Sequence, residues 1–94
     1  MKGKSVYKIP NGKLLKIFLD YDQQTKCINT VQITGDFFMH PEEAIELLEQ
    51  ELQQVVLNET ILRETIESII TKHHVQCIGL DAEGLSRGIM MCVL

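Results

Sequence analysis

Histidine, cysteine, serine and paired carboxylates are the side chains most able to do chemistry in a small protein, and their spacing here argues against most of it. The histidines are His40, His73 and His74. His40 stands before Pro41 at the head of a helix-forming stretch, which fits a cap or an exposed loop residue. His73 and His74 close a second helical stretch, where a cation complements the negative end of the helix dipole. Adjacent residues on a helix point to different sides, so this pair does not read as a chelate. Cys27, Cys77 and Cys92 are odd in number and widely spaced, with no Cys-x-x-Cys among them. They form neither a disulfide framework nor a paired zinc motif. As reduced thiols they read as small buried hydrophobes, the state expected of a cytoplasmic protein. Ser86 lacks a Gly-x-Ser-x-Gly setting, and Gly3, Gly12, Gly35 and Gly79 are isolated turn glycines rather than a phosphate-cradling loop. Glu42, Glu43, Glu46 and Glu49 form a solvated helix face. No nucleophile stands beside a base.

The elements that must position these residues fall into two kinds. Residues 5–9, 13–21 and 27–34 read as strands. Pro10-Asn11-Gly12 supplies a hairpin turn between the first two, and residues 22–26 supply a polar loop between the second and third. Leu15, Ile17, Leu19 and Tyr21 share one face by alternation, with Lys16 and Asp20 on the other; Val31 and Ile33 turn inward on the third strand. Leu14 and Phe18 fall on the polar face, which is expected to be partly covered. Short connections with no crossover helix predict an antiparallel meander. From Pro41, a residue suited to the first helical position, Ala44, Ile45, Leu48, Leu52, Val55 and Val56 mark an apolar stripe. Asn58 caps a second helix to about Lys72, with Ile61, Leu62, Ile66, Ile69 and Ile70 expected inside. Residues 75–80 are an extended connector. Asp81 caps a third helix that packs through Leu85, Ile89, Met90, Cys92 and Val93. Gly84 and Gly88 weaken that helix by about 1 kcal/mol each relative to Ala, or permit close approach to a neighbour. The fold class is therefore α+β: a three-stranded antiparallel sheet followed by two to three helices packed on one face.

The 94 residues are enough for a single domain spanning 1–94. No apolar run is long enough to cross a membrane, and Met-Lys-Gly-Lys-Ser leads into no apolar signal region. The apolar close, Met90 to Leu94, predicts an end packed against the domain or one continued in a longer polypeptide. Lys2, Lys4, Lys8, Lys13 and Lys16 all fall in the first sixteen residues with no acid among them, although the chain as a whole carries a net charge of −4. Such a run is either a solvated strand face or a contact for an anionic partner. Nucleic acid is not the expected partner, because the remaining surface is acidic and no recognition motif is present.

One stretch stands apart: Ile33-Thr34-Gly35-Asp36-Phe37-Phe38-Met39-His40-Pro41-Glu42-Glu43-Ala44-Ile45. It joins the third strand to the first helix and holds two of the chain's three phenylalanines. Gly35 lets the backbone leave the strand, and Asp36 is placed to bond nearby N–H groups in an Asx turn. Adjacent side chains here point in different directions. Either both rings pack between helix and sheet, or one enters the core and the other faces out as an interface anchor.

The run Ile33 to Phe38, followed by Pro41-Glu42-Glu43-Ala44-Ile45 and Leu48-Glu49, resembles the C-terminal accessory domain of lipoate–protein ligases. The opening Lys2-Gly3-Lys4, then Gly12-Lys13-Leu14, and the closing Ile78-Gly79-Leu80-Asp81-Ala82-Glu83-Gly84-Leu85 resemble it too, so the likeness covers nearly the whole chain. In that family the small domain is either fused behind the large one or made as a separate polypeptide. The resemblance implies a non-catalytic accessory subunit needed with the large subunit for ATP-dependent activation of lipoate to lipoyl-AMP. It implies that lipoate, ATP and magnesium bind the large subunit and none binds this chain. The implied partners are that subunit and a lipoyl acceptor, an E2 domain or glycine-cleavage H protein. Gly35, Asp36, Phe37, Phe38, Lys4 and Lys13 are the expected partner-binding residues, with no catalytic or metal-binding residue. The fold also resembles iron–sulfur scaffold and sulfur-acceptor proteins, an alternative function. Those need a reactive cysteine after the third strand, where this chain has Asp36-Phe37-Phe38.

Overall fold

The computed structural model describes residues 1–93. Strands β1 (Lys2–Lys8), β2 (Leu14–Tyr21) and β3 (Ile28–Gly35) form an antiparallel sheet in the order β1-β2-β3. The register sets Lys4 opposite Phe18 and Phe18 opposite Gln32, with Ser5 opposite Ile17 and Ile17 opposite Ile33. Alternation therefore sorts the sheet cleanly. Leu15, Ile17, Leu19, Tyr21, Val31 and Ile33 are buried on one face, while Lys4, Val6, Lys16, Phe18 and Gln32 lie on the other, which no helix covers. The partial cover expected over Leu14 and Phe18 extends only to Leu14; Phe18 is exposed.

Helix α1 (Ala44–Glu51) packs against β3, α3 (Ala82–Met90) lies across β1 and β2, and α2 (Glu59–Lys72) packs on α3. The caps expected of Asn58 and Asp81 form: Ile61 N–H donates to Asn58 Oδ1 at 3.1 Å, and Gly84 N–H to Asp81 Oδ1 at 2.6 Å. Each satisfies a backbone donor with no intrahelical acceptor. Gly84 and Gly88 serve close approach. A Cβ on Gly88 would sit 2.9 Å from Leu15 Cδ2 and 3.0 Å from Ile17 Cδ1. Cys92 is buried just beyond α3, so the end of the described chain is packed down; Leu94 lies outside the described residues.

Four expectations are corrected. The first helix starts at Ala44 and stops at Glu51, and Pro41 sits in the preceding turn, where Ala44 N–H donates to its carbonyl at 3.0 Å. The stripe that seemed to carry the helix to Val56 ends at Gln54, whose φ is +70°. Residues 54–57 instead run beside the start of β3: Ile28 N–H donates to Val55 O at 2.9 Å and Leu57 N–H to Lys26 O at 2.7 Å. Ile61 is not inside; it is 42% exposed, one residue off the buried line of Leu62, Ile66 and Ile69. The connector at 75–80 is more than a connector, since its residues Gln76–Ile78 form β5 and pair antiparallel with β4 (Phe38–His40).

Candidate functional site

Where the sheet ends, the chain has to turn. Gly35 does so at a φ of +152°, a conformation that side chains rarely adopt, and a Cβ there would collide with the Leu14 carbonyl oxygen. Asp36 N–H then donates to that same carbonyl at 3.0 Å. The Asx turn expected at Asp36 does not form: among the described residues its carboxylate accepts no hydrogen bond. One forms instead in the β2–β3 loop, where Asp22 Oδ1 accepts from Gln24 N–H at 2.8 Å and Thr25 N–H at 3.0 Å. The N–H groups of Thr25 and then Gln24 hold the Asp22 carboxyl below the usual range, because they favour its charged form.

The two phenylalanines separate. Phe37 is 7% exposed and joins the core, whereas Phe38 is 71% exposed. Phe38 pairs across the β4–β5 ribbon with Ile78, itself 57% exposed, while Met39 between them in the alternation turns inward opposite Cys77. A three-residue strand thus displays one large apolar pair outward and buries the next residue. Of the adjacent rings, only Phe38 is exposed. Ile78 enters the sequence reading only as the start of the closing Ile78–Leu85 likeness; its exposure beside Phe38 appears once β4 and β5 pair. Beyond the ribbon, Pro41, Ala44, Leu47 and Val75 line a groove whose rim carries Glu43, Glu46 and His73.

The structure brings Lys13 to this ribbon and leaves Lys4 away from it. Lys13 N–H donates to Gly79 O at 2.9 Å, one residue from Ile78. Lys4 lies on β1, with β2 between it and β3, beside Phe18 on the open face. The expected cluster of Gly35, Asp36, Phe37, Phe38, Lys4 and Lys13 is therefore two places: an apolar ribbon with Lys13 beside it, and a basic sheet face holding Lys4. Among the described residues, no carboxylate pairs with Lys4 or Lys13.

The titratable groups are dispersed. His40 is exposed on β4, and His73 caps the end of α2 with Nε2 3.4 Å from Glu51 Oε2. Cys27 bridges to Val56, Cys77 lies on β5, and Cys92 packs under β1 with Sγ 3.4 Å from Ser5 Oγ. Burial pushes the Cys92 thiol up, and burial followed by the nearby Asp81 charge does the same for Cys77. Both shifts favour the protonated thiol over the thiolate that metal and sulfur chemistry use. Among the described residues, no group of three or more His, Cys, Asp or Glu converges as a metal site would require. Among the described residues, no helix is long and apolar enough to cross a membrane.

Fold and site together define a small α+β domain, with helices on one face of a three-stranded meander and an apolar two-stranded ribbon displayed at its end. No family model and no curated protein matches the chain. A solved structure does match: an archaeal lipoylation system from Thermoplasma acidophilum, a bipartite lipoate protein ligase and its E2 lipoyl domain. The likeness covers 100% of this chain and 98% of that chain, at 27% sequence identity and a TM-score of 0.77. It bears out the resemblance to a lipoate–protein ligase small chain drawn from the Gly-Asp-Phe-Phe junction and its flanks.

Proposed function

We propose that this chain is an accessory subunit of a lipoate–protein ligase, acting with a large catalytic subunit in the ATP-dependent activation of lipoate to lipoyl-AMP. The observation that carries this reading is the two-way coverage of the likeness: nearly the whole of one chain of a bipartite ligase system aligns with the whole of this one. Lipoate, ATP and magnesium are assigned to the large subunit. The small subunit acts by holding its partner in the activation-competent arrangement, and it does so only through contacts that differ between the partner's states. Phe38 and Ile78 are the proposed anchor, with Lys13 at their side contributing attraction to an acidic rim. A lipoyl acceptor, an E2 domain or glycine-cleavage H protein, is the second partner of the assembled enzyme.

The test is reconstitution. The chain alone is expected to form no lipoyl-AMP from lipoate, ATP and magnesium; adding it to the large subunit should raise lipoyl-AMP formation. A large subunit equally active without it defeats the proposal. Mass spectrometry on the same mixture separates the other role in such a system, since a lipoyl group attached to a lysine of this chain would make it the acceptor. A cluster scaffold or sulfur-transfer role, the alternative for this fold, is supported by none of the three cysteines, two of which are held protonated by burial.

A further inference from the structure

The sheet has two edges, and they are treated differently. Met1 and Tyr21 exchange two hydrogen bonds, Tyr21 N–H to Met1 O and the Met1 amino group to Tyr21 O, both at 2.9 Å. In an antiparallel pair such two-way exchange recurs at every second residue. Gly3, Ser5 and Tyr7 therefore aim their backbone groups at β2, and Lys2, Lys4, Val6 and Lys8 aim theirs outward. The same counting across β2 leaves Val31 and Ile33 facing outward on β3, and Ile33 N–H is indeed met from outside by Glu49 Oε2 at 2.8 Å. Residues 54–57 cover the start of that strand. The β3 edge is thus capped at Ile28 and at Ile33. Along β1, no element of the described chain pairs with the outward backbone groups.

We infer that the outer edge of β1 is a strand-docking edge for an extended, acidic segment of a partner protein. The four residues whose backbone groups face outward are also those whose side chains stand on the open sheet face: Lys2, Lys4, Val6 and Lys8. Val6 is 61% exposed at the centre of the row. Lys8 is tied back to the turn, its Nζ donating to Ile9 O at 3.1 Å and Gly12 O at 2.6 Å. Lys2, Lys4 and Lys16, which faces Val6 across the pair, have no carboxylate partner among the described residues. Residues directly opposite on neighbouring strands share a face and interact, favourably for opposite charges and unfavourably for like ones. An added strand with acids at every second position meets the lysines. A second copy pairing through β1 sets lysine against lysine. Edge lysines are a common defence against such pairing; here they also select the partner, in a chain whose net charge is otherwise negative. Main-chain bonds supply affinity and the alternate side chains specificity, as in other strand-addition complexes.

The experiment uses the whole chain, isotopically labelled, and a capped nonapeptide in which glutamate alternates with valine and threonine. The glutamate peptide should shift the amide signals of Lys2, Lys4, Val6 and Lys8 and slow their hydrogen exchange, less so at high salt. A peptide with lysine in place of glutamate should do neither. Val6→Pro removes an outward N–H that makes no bond to β2, and Lys4→Glu reverses a charge at an exposed site. Each should abolish the response while circular dichroism stays native, and Lys4→Glu carries the test if the proline variant does not fold. The inference is overturned if those amides do not respond at millimolar peptide, or if both peptides act alike. It is overturned equally if the shifts map to Phe38 and Ile78, if the chain self-associates through β1, or if anionic vesicles bind this edge in preference to the peptide. None of these outcomes depends on whether the chain restores ligase activity.

Discussion

The seam between α3 and the sheet and the ribbon of β4 and β5 solve opposite problems with equally small means. At the seam, Gly88 lets the helix backbone come down onto Leu15 and Ile17. Ser5 Oγ donates to the Gly88 carbonyl at 2.8 Å, and Cys92 fills the space beside them. Small residues there let helix and sheet come into direct contact. At the ribbon, two strands of three residues each are too short to bury both of their faces, and Phe38 and Ile78 remain outside. The difference teaches that exposure in this molecule is not looseness. Each side of the comparison is held by specific backbone bonds, and only the side chain placed on that backbone decides whether the surface closes or stays available.

Substitutions should separate the two regions in descending order of effect. Phe37→Ala and Phe38→Ala give the sharpest contrast. The first should cost about 3–5 kcal/mol of folding stability by urea denaturation, the second less than about 0.5 kcal/mol. Phe38→Ala should instead weaken association with the large ligase subunit by about 2 kcal/mol, roughly 30-fold in Kd by calorimetry. Equal losses of stability would merge ribbon and core into one packed unit. Gly88→Val should destabilise by about 1–3 kcal/mol, because the neighbours at the seam have no room to give. A neutral result would mean that α3 is free to ride up on the sheet. Asp81→Ala removes the cap that starts α3 and should lower stability by about 1 kcal/mol, read as a fall in the thermal midpoint, with Asn58→Ala in α2 as the matched control away from the seam.

The smallest effect is chemical. Both raised thiols keep their protons longer in the folded chain than in the unfolded one. Their contribution to stability is full below the ordinary thiol range and fades as pH rises through it toward the raised folded values. Iodoacetamide at neutral pH should therefore reach half-buried Cys77 on the ribbon slowly and Cys92 in the seam only on unfolding. Comparable rates at the two sites, followed by mass spectrometry, would erase the distinction between them.

The seam was far more legible in the sequence than the ribbon. Alternation over the eight residues of β2 and the cap at Asp81 could be read directly, whereas Gly84 and Gly88 left a weakened helix or a close approach open until the packing on Leu15 and Ile17 decided it. Phe38–His40 and Gln76–Ile78 are too short for a period to register, and their pairing joins segments far apart in the sequence. Val55 and Val56 kept a helical spacing that Gln54 breaks through its backbone conformation, which its side chain does not announce. The junction's phenylalanines were recognisable as a pair, but which ring is displayed is set by the pleat of a strand that only forms against β5. Lys4 and Lys13 looked like one basic cluster because they are close in sequence, and the hairpin sends them to different parts of the molecule.

Glu49 reaches from α1 to occupy the Ile33 N–H, standing in for the strand that would otherwise lie there. Growth of the sheet is therefore disfavoured on that side and left open along β1. A domain with two open edges can be strung into a fibre; one with a single open edge can accept one neighbour and must then stop. If a strand is added at β1, this chain acts as a terminator of sheet growth, because residues 54–57 and the Glu49 carboxylate together occupy positions along the opposite edge.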